Sequence, residues 1–127
     1  MLIVGHNYTR NEIAQELGGG TIEFLPSVNG RVVCACLRTD VNPDAPKIIL
    51  PGHGPQIRES AEALCGQRGP IPVFIRLRAS AWEYVGNFEV ERFSLDSQEI
   101  TEQEAHAQRS GEQGISRVIY MKEVLRP

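Results

Sequence analysis

Apolar residues along this chain follow two rhythms, one close to the turn of a helix and one of strict alternation. The first opens at "TRNEIAQELGGG", where Thr9 and Glu12 have the spacing of a capping box. Ile13, Ala14 and Leu17 then make an apolar stripe that the glycine run at 18–20 ends, which predicts a helix over 10–17. In "PGHGPQIRESAEALCGQ", Ile57, Ala61, Leu64 and Cys65 recur at helical spacing and predict a helix over 55–66 with one buried face. Asp96 can cap a third helix over 97–108, whose run "SQEITEQEAHAQ" is polar enough to be a solvated surface element.

Between these lie the strands. "TIEFLP" reads as a short one, and Asn29-Gly30 in "SVNGRVVCACLR" signals a hairpin turn between two others. From Val32 to Leu37 neither face is polar, as expected of a central strand. "TDVNPDAP" at 39–46 must be loop, "KIIL" is a short strand, and "RSGEQG" is a flexible link before a final strand in "ISRVIYMKEV".

The longest alternation is the hairpin "PVFIRLRASAWEYVGNFEV". A Ser80-Ala81 turn sets Ala79 opposite Trp82, and then pairs Leu77 with Tyr84, Ile75 with Gly86 and Val73 with Phe88 on one apolar face. On the other face Arg78 meets Glu83, Arg76 meets Val85 and Phe74 meets Asn87, and a one-residue slip would mix the two faces. In this register Phe88 and Val90 are core, while Trp82 and Tyr84 lie near the rim, where a ring can line a pocket. Gly86 marks a bulge or a close backbone approach. Arg76 and Arg78 are either solvated, one of them paired with Glu83, or a phosphate-binding stripe. The element order predicts a single α+β domain over 1–127: a curled, partly barrel-like mixed sheet of about six strands with three helices.

Composition narrows the function classes. Charged residues are 23% and hydrophobic ones 41%, the balance of a soluble globular chain. No apolar run has the length of a membrane span, and "MLIVGHNYTR" lacks the basic start and long apolar stretch of a signal peptide, so the expected setting is the cytoplasm. A net charge of −3 argues against non-specific coating of nucleic acid but leaves room for a local basic face. Three cysteines, an odd number, suggest reduced thiols. Cys34 and Cys36 share one face of a strand and read as core, with no zinc-site spacing around them. The foothold for an enzyme is His53 with Cys65 and an acid, yet Cys65 falls on a buried stripe, where a thiol is inert. No catalytic residue, cofactor or metal is assigned.

"EYVGNFEVERF" resembles the tyrosine–x–glycine–x–aromatic–x–valine strand of SRA (YDG) domains and of related modified-base reader modules joined to HNH nucleases in bacterial restriction systems. The run from "HNYTRNEI" through "NGRVVCACLRTDVNPDAPKIILPGHGP" is similar to the amino-terminal part of such modules. The family's tyrosine–aspartate–glycine triplet reads Tyr84-Val85-Gly86 here, and the chain carries no HNH motif. The resemblance implies an SRA/PUA-like fold that binds double-stranded DNA, takes a flipped modified base into a pocket, and works beside a nuclease domain or subunit. It offers Tyr8, Trp82 and Tyr84 as stacking rings, and Asp40, Asn42 and Asp44 as readers of the base edge. Arg10, Arg58, Arg76 and Arg78 are offered as phosphate clamps, with His53 in the "PGHGP" turn before a helix N-terminus as a further anion contact. The alternative is a non-catalytic small-ligand or protein-interaction domain on the same fold.

Overall fold

Local signals set the three helices of the computed structural model, which describes residues 1–125. Helix α1 spans Arg10–Leu17, α2 Pro55–Gly66 and α3 Ser97–Ala107. The capping box is complete: Glu12 N–H donates to Thr9 Oγ1 at 3.1 Å, and Thr9 N–H donates to the Glu12 carboxylate at 2.8 Å. Pro55 opens α2 where its missing N–H costs nothing. Asp96 accepts from Glu99 N–H at 3.1 Å to start α3, which buries no residue at all. In α2 the buried face is Ala61 and Leu64; Ile57, expected on that stripe, is exposed and folds beside Gly54.

The strands are β1 Asn7–Tyr8, β2 Ser27–Val28, β3 Arg31–Val32, β4 Ala35–Leu37, β5 Ile48–Ile49, β6 Ile71–Arg78, β7 Ala81–Ser94 and β8 Val118–Glu123. Six of them form one mixed sheet in the order β4-β6-β7-β8-β5, with β1 paired to β7 beside that path. Among the described residues only the β4–β6 ladder of this sheet is parallel. The two ends, β4 and β5, do not pair with each other, so the sheet is open rather than closed into a barrel.

Two expectations change here. "TIEFLP" is not a strand; instead the carbonyls of Phe24 and Pro26 accept from Cys36 and Val33 N–H at 2.7 and 2.9 Å and cover the edge of the neighbouring run. The run Val32–Leu37 is not one central strand either. It breaks after β3, and β4 sits at the end of the sheet. It is apolar on both faces because each face meets a core. Ala35 and Leu37 pack with Ala61 and Leu64 of α2, whereas Cys34 and Cys36 pack with Ile13 of α1. The Asn29-Gly30 turn forms as read, with φ of 52° and 80°, and joins the two-residue strands β2 and β3.

Gly86 marks the bulge expected of it, and the close neighbours there are side chains rather than another backbone. The β6–β7 ladder pairs Val73 with Gly86 and then Phe74 with Tyr84, leaving Val85 as an inserted residue. Gly86 carries φ of 125°, and a Cβ there would lie 3.2 Å from a Glu123 carboxylate oxygen and 3.7 Å from the Phe88 ring. Gly86→Ala should therefore cost about 1–3 kcal/mol of stability, as expected for a side chain forced into a glycine-only conformation. Urea unfolding of the variant measures this, and an unchanged midpoint would show that the strand relaxes around the methyl group.

Candidate functional site

The two ends of the β6–β7 hairpin behave differently from the register expected for it. The turn is Ala79-Ser80, with Arg78 opposite Ala81, and a second inserted residue, Leu77, separates that pair from Arg76 opposite Trp82. The expected register assumed one apolar face and one polar face. Here the sheet is buried on both: Val73 packs with the α2 core and Phe74, expected beside solvent, is fully buried in the α1 core. The insertion at Val85 also moves the aromatic rings apart. Trp82 and Tyr84 join the α1 core at 7% exposure each, whereas Phe88 joins the α2 core with Val90 packed against it. Trp82 and Tyr84 are thus not the rim of an open pocket. Tyr84 lies 5.4 Å from the Phe74 ring, and its hydroxyl donates to Asn87 Oδ1 at 2.6 Å.

Beyond the second insertion the side chains turn outward. Leu77 is 53% exposed. Arg76, Leu77 and Arg78 line a shallow cleft of about 150 Å³ whose other wall is Arg38, Thr39 and Asp40. Arg38 directly follows β4, and the parallel pairing of β4 with β6 brings it beside the hairpin tip. Its Nε and Nη2 donate to the two oxygens of Asp40, the first at 3.0 Å, in a fork-to-carboxylate arrangement. The Arg38 guanidinium holds the Asp40 carboxyl below the usual carboxylate range, with a smaller contribution from Arg76, and Asp40 in turn raises Arg38. Both side chains are more than half exposed, so the pair contributes only about 0.2–1 kcal/mol to the fold. Arg38 was not among the expected clamps. Nothing in "CLRTD" announces that its strand lies parallel to one four decades further on in the numbering.

The remaining candidates lie elsewhere. Asn42 is not a base-edge reader. It is 5% exposed, with Oδ1 accepting from Leu50 N–H at 2.8 Å and Nδ2 donating to the Arg38 carbonyl at 3.2 Å, so both ends of the amide are engaged. Asp44 faces away from the cleft, 3.0 Å from His106 Nε2 of α3. Arg10 is a brace rather than a free clamp: it donates to the Glu23 carbonyl at 2.7 Å and lies 5.2 Å from the Trp82 ring. Tyr8 packs edge-on to Phe74, and its hydroxyl accepts from Ile3 N–H at 2.8 Å. His53 and Arg58 are exposed at the start of α2, outside the cleft. Cys34 and Cys36 are buried, and a hydrogen bond with Cys36, together with burial, pushes the Cys34 thiol pKa up. Among the described residues no group of three or more His, Cys, Asp or Glu is placed to hold a metal ion.

One residue that sequence reasoning missed fixes the loop beside the cleft. Arg109, in the stretch read as a flexible link, donates to the carbonyls of Leu50, Gln113 and Val41 at 2.7, 2.8 and 3.0 Å. Burial pulls its pKa down from the usual arginine value. The link is accordingly an ordered turn, with a 3-10 helix at Gly111–Gln113.

A family model described as "Domain of unknown function (DUF6697)" matches residues 7–125. The chain belongs to this family. No curated protein matches it. In fold the DUF6697 chain is similar to a solved structure titled "Crystal structure of SUVH5 SRA- hemi methylated CG DNA complex", with a TM-score of 0.64 and 13% sequence identity over 97% of this chain and 89% of that one. An SRA-like fold is thus common to both.

Two measurements check this description of the DUF6697 site. Asn42→Ala should cost about 1–3 kcal/mol, because it leaves the buried Leu50 N–H unpaired. The exposed Asp44→Ala should change stability by less than about 0.5 kcal/mol in the same urea series. Trp82 is the only tryptophan, so its emission reports one environment. It should be blue-shifted and poorly quenched by iodide; strong quenching would show that the ring is open to solvent.

Proposed function

We propose that this DUF6697 domain binds double-stranded DNA, holds its phosphates at the Arg38–Arg76–Arg78 cleft, and prefers a modified base. The observation that carries the reading is that three arginines, one following β4 and two in β6, line one exposed cleft. Guanidinium forks match phosphate oxygens in pairs, and neutralised phosphates release counterions, which drives such binding. The overall charge of −3 keeps long-range attraction weak, so affinity must come from this local set. The likeness to an SRA domain solved with hemi-methylated CG DNA supports duplex DNA as the partner and a modified cytosine as the feature read.

Within this reading Asp40 is the acid beside the phosphate contacts and can accept from a cytosine amino group. A base leaving the stack would meet Leu77 and Asp40 at the cleft rather than Trp82 and Tyr84, whose faces are occupied by core neighbours. The domain acts as a recognition module without chemistry of its own, and in a restriction system a separate nuclease domain would cut.

A second reading has its own observation. A wider cleft of about 280 Å³ lies between the end of α2 and β7, lined by Leu64, Gln67, Arg68, Gly69, Glu89 and Val90. Its mixed lining suits a small polar ligand.

Fluorescence anisotropy on duplexes carrying cytosine, methylcytosine or hydroxymethylcytosine tests the first reading. Arg76→Ala and Arg78→Ala should each weaken binding to all three alike, and each should reduce the slope of log K against log salt by about 0.9. Absence of salt-dependent binding by the wild-type protein at low ionic strength would sink the DNA reading for these substrates and favour the wider cleft.

A further inference from the structure

The arginine cleft contains its own anion. Of its lining residues three are arginines and one, Asp40, is a carboxylate, and that carboxylate already occupies the Arg38 fork through two hydrogen bonds. A phosphate docking side-on at Arg38 competes for the Nε and Nη2 N–H groups that Asp40 holds, while the outer Nη1 edge of the guanidinium stays open. We propose that Asp40 sets the selectivity of the cleft by competing with an incoming phosphate for the Arg38 guanidinium. The inference deepens the DNA-binding reading, on which its ligand class rests.

Three features make the competition effective. The pair is exposed, at 51% and 58% of the side chains, so water screens it and a ligand can displace it. Asp40 is two residues from Arg38 across one turn, so the carboxylate returns to the fork whenever the ligand leaves. Its carboxyl is held below the usual carboxylate range, chiefly by Arg38, so it remains charged throughout the neutral range. A ligand that offers phosphate alone therefore binds against a fixed negative charge. One that also places a hydrogen-bond donor beside the phosphate, as the amino group of a base does, gives Asp40 a new partner when it leaves Arg38. The residue thus turns a general anion cleft into one that favours phosphodiesters with a donor alongside.

The experiment compares wild-type protein with Asp40→Asn, Arg38→Gln, the double variant and Asp44→Asn. Each is checked for folding by circular dichroism. Inorganic pyrophosphate is titrated by calorimetry, and unmodified duplex DNA by anisotropy. Asp40→Asn should bind both probes about three- to tenfold more tightly, the size of one nearby exposed charge. The gain should vanish in the Arg38→Gln/Asp40→Asn double variant, because the contested fork is gone. Asp44→Asn removes the same charge outside the cleft and should show no gain. A gain of equal size in Asp44→Asn, or one that survives in the double variant, would reduce the effect to net charge and overturn the proposal. So would an Asp40→Asn protein indistinguishable from wild type on both probes. If no duplex binds but pyrophosphate shows the Arg38-dependent gain, the competitor stands and DNA is the wrong ligand. If duplex binding depends on Arg76 and Arg78 but ignores Asp40, DNA is the right ligand and the competitor is wrong.

Discussion

A strand shows one side chain up and the next down, so one inserted residue exchanges the two faces for everything beyond it. Strand β7 depends on such an exchange. Before Val85 its even-numbered rings, Trp82 and Tyr84, pack beneath α1; after Gly86 the even-numbered Phe88 and Val90 pack with the α2 core. The sheet can therefore carry helix-covered cores on both faces from a single fourteen-residue strand. The second insertion, at Leu77 in β6, comes where the covering ends. It puts a leucine into solvent and sets the flanking arginines at the cleft. Core and cleft are two outcomes of one local device.

That device explains what could be read from the chain and what could not. The helices were legible because their signals are local: Thr9 and Glu12 cap α1, Pro55 opens α2, and Asp96 caps α3. The Asn29-Gly30 turn was legible because those two residues readily adopt positive φ. The hairpin register was not, because a bulge is decided by what packs on each face, and the reading assumed that one face was polar. Phe74 shows the error most clearly: alternation sent it outward, and the α1 core took it in. Arg76, Arg78 and Asp40 were legible as charged candidates, and the structure gathers them in one cleft. Arg38 was invisible because its role depends on a parallel neighbour far along the chain.

Polar groups inside this fold are used to hold loops. The neutral amide of Asn42 ties both ends of the 38–50 segment, and the guanidinium of Arg109 gathers carbonyls from Val41, Leu50 and Gln113. Each group spends most of its hydrogen bonds on backbone. Arg10 gives its Nη2 to the carbonyls of Gly20 and Glu23 between α1 and the glycine loop, while its Nε is buried without a hydrogen-bond partner. The distinction between a structural and an available arginine thus lies in its partners: carbonyls for Arg10 and Arg109, a displaceable carboxylate for Arg38.

Strand β5 has its ladder partner in β8, about seventy residues further along, while β4 at the opposite end of the sheet pairs with β6. The segment between them, which carries Asp40, must therefore cross from one end of the sheet to the other. Such long-range closures form late, after the loop entropy has been overcome. During synthesis, residues 48–49 emerge well before the strand that receives them, and until then Asn42 and Leu50 have no fixed frame. Completion of the sheet by β8 thus fixes the far end of the segment that carries Asp40, while its near end is set by the β4–β6 ladder.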